Sequence, residues 1–149
     1  MERIIIAIPT YNMADFICET VECCLAQDYG RIPIYIIDNN STDNTHDVIL
    51  KYLDNEYVYY IKNSTNIGMV ENWNKCLELP DSEYVKILCA DDHIYKKSIS
   101  TCVSILDSNP DVAIVASKFE HFGCGSQMHF SPHHSGIIQV LKRLILVRL

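Results

Sequence analysis

Five short apolar runs rich in β-branched residues, four of them followed by a stretch with helical periodicity, predict an α/β fold. The runs are continuously apolar rather than alternating, which suits strands buried on both faces of a mostly parallel sheet. Right-handed crossovers between such strands put helices on both faces, a three-layer α/β/α sandwich. The second run ends on Asp38 and the fourth on Asp91-Asp92. Side chains at strand carboxyl ends reach the crevice where open α/β sheets bind ligands.

The first run, residues 3–8, reads as a strand stopped by Pro9. Asn12 offers a helix N-cap with Asp15 three residues on, and Ile17, Val21, Cys24 and Leu25 share one helical face up to a stop near Tyr29 and Gly30. Residues 33–37 form the second strand, closed by turn formers from Asp38 to Thr45. Asp43 or Asn44 caps a short helix over 46–53, and 58–61 is the third strand. A helix over 69–79 turns Met69, Trp73, Cys76 and Leu77 inward before Pro80. The fourth strand, 84–88, precedes a helix over 97–106 with Ile99, Cys102, Val103 and Leu106 inside, and 112–116 is the fifth strand.

A chain of 149 residues, 48% of them hydrophobic, supports one core. Its net charge of −7 excludes a nucleic-acid binder, which needs a basic face for the phosphates, and leaves small molecules as partners. The seven cysteines, at 18, 23, 24, 76, 89, 102 and 124, are odd in number and lack paired CxxC spacing, so neither a disulfide framework nor a zinc site is indicated. A reducing cytoplasm is expected. The N-terminal apolar run is too short for a signal peptide, and no stretch has the length of a membrane span.

The character changes after Ser117, dividing the chain into 1–117 and a divergent tail, 118–149. Glu120 is the tail's one acidic residue, while His121, His129, His133 and His134 gather beside Cys124. A zinc site and an exposed loop both remain open for that cluster. The segment from Gly136 to Leu149 is apolar with Lys142, Arg143 and Arg148. It reads as one more helix, as an amphipathic segment touching the inner face of a membrane, or as a stub left by a missing partner surface.

Two adjacent carboxylates at a strand's end stay ionised cheaply only when water, donors or a cation compensate them, so Asp91 and Asp92 suggest a metal or ligand site. The bland reading is a solvated turn. Four pieces in order decide against it: Ile8-Pro9-Thr10-Tyr11-Asn12 after the first strand, Asp38-Asn39-Asn40-Ser41-Thr42-Asp43 after the second, Asn66-Ile67-Gly68 before the third helix, and Ala90-Asp91-Asp92 after the fourth strand. Together they resemble the family 2 glycosyltransferases of the GT-A fold, inverting enzymes that transfer a sugar from a nucleotide diphosphate donor.

The resemblance covers residues 3–116 and implies a donor site for a nucleotide sugar, a UDP-sugar in the first instance. Pro9, Thr10 and Tyr11 would line the base pocket, Asp38 would accept from base or ribose, and Asp91 would hold the ribose or a metal-bound water. Asp92, in the DXD-like motif, would coordinate Mg²⁺ or Mn²⁺. Asn39 stands where the second acid of a pair is usual, and Asn66-Ile67-Gly68 is given no catalytic role. The acceptor would be a glycan, a polysaccharide or a lipid-linked sugar. An inverting transferase also needs a base, which the family carries beyond the fifth strand; Glu120 is the carboxylate available there. On this reading the fold is incomplete at its C-terminus, truncated after the donor-binding half. The competing function is a non-catalytic nucleotide-sugar binding remnant or subunit.

Overall fold

The computed structural model describes residues 2–117 and 145–148. In chain order the elements are β1 (Glu2–Thr10), α1 (Ile17–Leu25), β2 (Ile34–Asp38), α2 (Thr45–Ile49) with a 3-10 turn (Leu50–Tyr52), β3 (Val58–Lys62), α3 (Met69–Lys75), β4 (Ser82–Ile87), α4 (Ser98–Ser108), β5 (Ile114–Val115) and β6 (Ile145–Arg148). The sheet order is β3-β2-β1-β4-β6-β5. β1 pairs in parallel with β2 and β4, and β2 in parallel with β3, whereas β6 runs antiparallel to both β4 and β5. The α/β fold with its mostly parallel sheet is therefore as the sequence predicts.

The five-residue run Ile4-Ile5-Ile6-Ala7-Ile8 shows why β1 is central. Ile4, Ile6 and Ile8 face one core, shared with Ile17, Val21 and Cys24 of α1 and Ile99, Val103 and Leu106 of α4. Ile5 and Ala7 face the other, with Ile37, Val85 and Cys76. Side chains of a strand alternate between faces, so an unbroken apolar run serves two layers at once.

Several boundaries differ from expectation, each for a physical reason. β1 continues through Pro9 to Thr10 instead of stopping at Ile8. Ile6 N–H donates to Pro33 O and Asn39 N–H to Thr10 O on the β2 side, whereas Leu88 N–H donates to Ala7 O on the β4 side. By that alternation the donor that proline lacks would face β4, where the β1–β4 register has already ended at Ala7 and Ile87. Asn12 does not cap α1, which starts after Phe16 without any side-chain cap. Asn12 instead adopts a left-handed backbone, φ 52°, as asparagine does more readily than most residues. The helix at 69–79 is shorter, and its inner face is Asn72 and Cys76; Met69 and Leu77 are exposed and Trp73 is half-buried. Two apolar-looking positions lost to a buried asparagine because the loop beneath α3 requires an amide, as described below.

The tail's helical reading is corrected for residues 145–148. Strand edges present unpaired N–H and C=O groups that template another strand. Ile145–Arg148 occupies the β4 edge, with Ile87 opposite Ile145 and Tyr84 opposite Arg148. The fifth predicted strand shortens to Ile114–Val115 and pairs with β6. Glu120, the histidine cluster and most of the segment from Gly136 lie outside the described residues.

Candidate functional site

Strand order reverses between β1 and β4: the chain moves from β1 out to β2 and β3, then returns to lay β4 on the other side of β1. Carboxyl-end loops on the two sides of such a reversal diverge and leave a crevice between them, the usual ligand site of an open α/β sheet. Here the loop after β1 carries Tyr11, and the loop after β4 carries Cys89, Asp91 and Asp92.

The loops after β1 and β2 are laced together. Asn12 N–H donates to Ser41 Oγ (2.9 Å), Met13 N–H to Thr45 Oγ1 (2.9 Å) and Ala14 N–H to Asp43 Oδ2 (3.1 Å), while Thr42 N–H donates back to Asn12 Oδ1 (2.8 Å). Asp43 Oδ1 also accepts from the N–H (3.0 Å) and hydroxyl (2.6 Å) of Thr45, so Asp43 does the capping work at the start of α2 while Asn44 makes no cap bond. Burial is the largest single influence and works against ionising Asp43, but the donors from Thr45 and Ala14 together outweigh it and hold the carboxyl below its ordinary pKa.

Asp38 is fully buried at 0% exposure. Its Oδ1 accepts from Ser41 N–H (2.8 Å) and Ser41 Oγ (2.6 Å), and its Oδ2 accepts from the Tyr60 hydroxyl with Lys62 Nζ 4.0 Å away. Burial and then the Asp38 bond raise the Tyr60 pKa, keeping the phenol protonated as the donor. Next to it Asn39 uses both ends of its amide. Nδ2 donates to Asn66 Oδ1 (2.9 Å) and Gly68 O (3.2 Å), and Oδ1 accepts from Ile67 N–H (2.9 Å) and Asn63 Nδ2 (3.1 Å). Asn63 also donates to Asn72 Oδ1 (2.9 Å), and Asn72 donates onward to Ile37 O (3.0 Å). This chain of amides explains why α3 buries Asn72, and why Gly68, at φ 87°, turns the backbone just before it.

At the end of β4 the supports come from α1. Thr20 Oγ1, itself buried, lies 2.8 Å from Ala90 O and 3.0 Å from Asp92 O and shares its one proton between them. Gln27 Nε2 donates to Tyr95 O (3.0 Å), and Ile99 N–H donates to Gln27 Oε1 (3.2 Å). Asp92 N–H donates to Cys89 O (3.0 Å), closing a turn. Cys89 Sγ and one carboxylate oxygen from each of Asp91 and Asp92 then lie within 4.8 Å of one another. Earlier on β4, Lys86 is 1% exposed, and its ammonium has no hydrogen-bond partner among the described residues. Burial lowers its pKa to about 8, against the opposing pull of Cys102, Asp92, Cys24 and Cys89.

The sequence model for "Glycosyl transferase family 2" matches residues 5–147. The chain belongs to this family. That match extends through the tail as far as β6. Among similar proteins, a UDP-Glc:alpha-D-GlcNAc-diphosphoundecaprenol beta-1,3-glucosyltransferase, WfaP of Escherichia coli, is 35% identical over 108 residues, covering 72% of this chain and 43% of WfaP. The abequosyltransferase RfbV of Salmonella typhimurium is 31% identical over 132 residues, covering 86% of this chain and 39% of RfbV. The chain thus spans less than half the length of these relatives. Residues 1–349 of S. aureus TarS in complex with UDP superpose with a TM-score of 0.81 over 98% of this chain and 46% of TarS; at 22% identity the likeness is one of fold. The mannosyltransferase PcManGT of Pyrobaculum calidifontis, solved with GDP-Man and Mn²⁺, gives a TM-score of 0.70 at 25% identity over 76% of this chain and 34% of PcManGT. The GT-A architecture is shown.

Against that frame the predicted site residues separate. Tyr11, 42% exposed, and the Asp91-Asp92 pair flank the β1/β4 crevice. Pro9 and Thr10 are buried in the last turns of β1, and Asp38 is buried under its own loop. Thr20, Gln27, Asn39 and Lys86 were not singled out from sequence. Thr20 and Lys86 did leave a signal there: each is a polar residue interrupting an apolar face or run, and a polar group in such a place is either satisfied or kept for a purpose.

Proposed function

We propose that this chain is the donor-binding part of a family 2 glycosyltransferase that takes a sugar from a UDP-sugar, with help from a divalent cation, and passes it to a glycan or lipid-linked acceptor. The observation that carries this reading is the gathering of Asp91, Asp92 and Cys89 within 4.8 Å in the loop after β4, across the strand-order reversal from the loop after β1 that carries the exposed Tyr11. WfaP is named for a UDP-glucose donor and a diphosphoundecaprenol-linked acceptor, and the fold neighbours carry UDP, or GDP-Man with Mn²⁺; all of these support the reading.

In it the Tyr11 ring offers an apolar face to the base, and Thr10 sits at the floor beside it. Asp91, exposed at the crevice, accepts from ribose hydroxyls. Asp92 holds the cation, Mn²⁺ or Mg²⁺, and its donor spacing fits, since ligands at about 2.0–2.6 Å from one ion stand several ångströms apart. Bound there, such a cation neutralises charge on the leaving diphosphate. Asp38, buried and already accepting three hydrogen bonds from Ser41 and Tyr60, acts by fixing the loop between β2 and α2 rather than by touching the nucleotide. The acceptor-side base is not assigned to any described residue.

Calorimetric titration of the folded protein with UDP and with GDP, with and without Mn²⁺, tests the reading alongside Asp92→Ala. UDP binding that requires Mn²⁺ and weakens about a hundredfold in the variant is expected, since metal sites lose up to that factor even when a supporting group is removed. Binding indifferent to both metal and Asp92, or no nucleotide binding by a folded sample, would sink it.

A further inference from the structure

Two carboxylates account for only part of what surrounds the proposed cation position. Cys89 lies on the same turn, and its Sγ belongs to the group of three donor atoms mutually within 4.8 Å. It carries no disulfide and is partly accessible. The turn that brings it there is held at both ends: Asp92 N–H donates to Cys89 O, and Thr20 of α1 binds the carbonyls of Ala90 and Asp92. Three potential ligands on a four-residue turn, fixed through their backbones, converge with little conformational freedom left to lose.

A second observation concerns charge. Lys86, three residues before Cys89 and on β4, is buried without a hydrogen-bond partner among the described residues, and the groups that pull on its ammonium are Cys102, Asp92, Cys24 and Cys89. An isolated ammonium taken out of water is costly, so its presence marks a place where negative charge is meant to gather. Asp91, Asp92 and the Lys86 ammonium together carry a single negative charge. A thiolate raises that to two, the charge of one divalent cation.

Building on the donor-site reading above, we infer that Cys89 supplies a thiolate as the third protein donor to the cation held by Asp92, and so biases the site toward softer divalent ions such as Co²⁺ or Zn²⁺ over Mg²⁺. Sulfur ligands select for such ions, whereas Mg²⁺ prefers an all-oxygen shell. Binding breaks the Cys89 S–H bond, releases its proton to solvent and forms a sulfur–metal bond; no electron is transferred. Lys86 is a positioning residue in this arrangement, lowering the cost of the thiolate.

The test is optical. The full chain is titrated with Co²⁺ in the presence of UDP and followed by near-ultraviolet absorption, where a sulfur-to-cobalt charge-transfer band reports a thiolate ligand, with calorimetry on the same samples. Cys89→Ser keeps size and polarity, and circular dichroism verifies its fold. The band is expected in the parent protein and absent from Cys89→Ser and Asp92→Ala, with affinity for Co²⁺ falling at least about tenfold in Cys89→Ser and affinity for Mg²⁺ nearly unchanged. Co²⁺ binding without the band, or a band that survives in Cys89→Ser, overturns the thiolate and leaves the carboxylate-held cation standing. Absence of any UDP-dependent Co²⁺ binding by folded protein overturns the thiolate and the cation site together.

Discussion

The carboxyl ends of β2 and β4 carry two polar clusters built on opposite principles. At the end of β2, Asp38 and Asn39 are buried and their acceptors and donors are matched almost one for one by Ser41, Tyr60, Asn63, Asn66, Ile67 and Gly68. At the end of β4, Asp91, Asp92 and Cys89 gather around one point, and the buried Lys86 ammonium has no hydrogen bond among the described residues. A fully satisfied buried network rigidifies a fold and specifies one arrangement, whereas concentrated charge is stabilised only when something further arrives. The β2 end is therefore a frame, and on the function proposed above the β4 end is a receptor. An acidic motif in the sequence does not reveal which of the two it will become.

Replacing Asn39 with aspartate tests the frame most severely. The change removes both donors of Nδ2, turns Asn66 Oδ1 and Gly68 O against a carboxylate, and buries a charge at a site 3% exposed. A loss of about 3 kcal/mol in urea unfolding is expected, from unsatisfied buried groups together with a poorly compensated charge. A stability within error of the parent would mean that the network at β2 adapts, and the contrast with β4 would lose its basis.

At the receptor end the sign reverses. Lys86→Met replaces a buried cation by an apolar chain of similar length and is expected to stabilise the fold at pH 7 by about 2 kcal/mol, as other buried charges do when replaced by packed apolar groups. The pH dependence identifies the cause. The folded-state pKa of about 8 lies below the ordinary lysine value of 10.5, so between those values the unfolded chain binds more protons and parental stability rises with pH. The advantage of Lys86→Met should accordingly be full below pH 8 and shrink as pH climbs toward 10.5. Paired urea titrations at pH 7 and pH 10 read it directly. Destabilisation by the substitution would show that the ammonium is satisfied within the fold, and that the β4 end is no less complete than the β2 end.

The smallest effect falls on the strut from α1 to the β4 turn. Thr20→Val keeps shape but leaves Ala90 O and Asp92 O without their hydroxyl donor, at a cost of about 1 kcal/mol. Its larger consequence should appear in Mn²⁺-dependent UDP affinity, because the turn carrying Asp91 and Asp92 loses its anchor on α1. Equal affinity in parent and variant would show that the turn holds itself.

Much of the architecture was legible because it rests on local regularities. Continuous apolar runs identify strands buried on both faces, and the helices at 17–25 and 98–108 follow from the spacing of Ile17, Val21 and Cys24, and of Ile99, Cys102, Val103 and Leu106. The motifs at 8–12, 38–43, 66–68 and 90–92 were likewise sufficient to place the chain among the family 2 glycosyltransferases and to expect the site at strand carboxyl ends. The failures share a cause. Met69 and Leu77 look apolar and stand exposed, while Asn72 between them is buried, because a partner 35 residues away, the carbonyl of Ile37, demands an amide. Asn12 resembles a cap but serves the loop after β2, and Ile145–Arg148 resembles part of a helix but lies along β4.

What the amino-acid sequence determined by itself is the order and kind of the elements from 3 to 116 and the presence of acids at their ends, because hydrophobic period and turn chemistry are written within a few residues of where they act. What only the tertiary structure decided is the use of each polar side chain. Hydrogen bonding and charge compensation are settled by neighbours far apart in the chain, so Asp38 became part of a frame, and Asp91, Asp92 and Cys89 became a cluster, only when β1, β2 and β4 lay side by side.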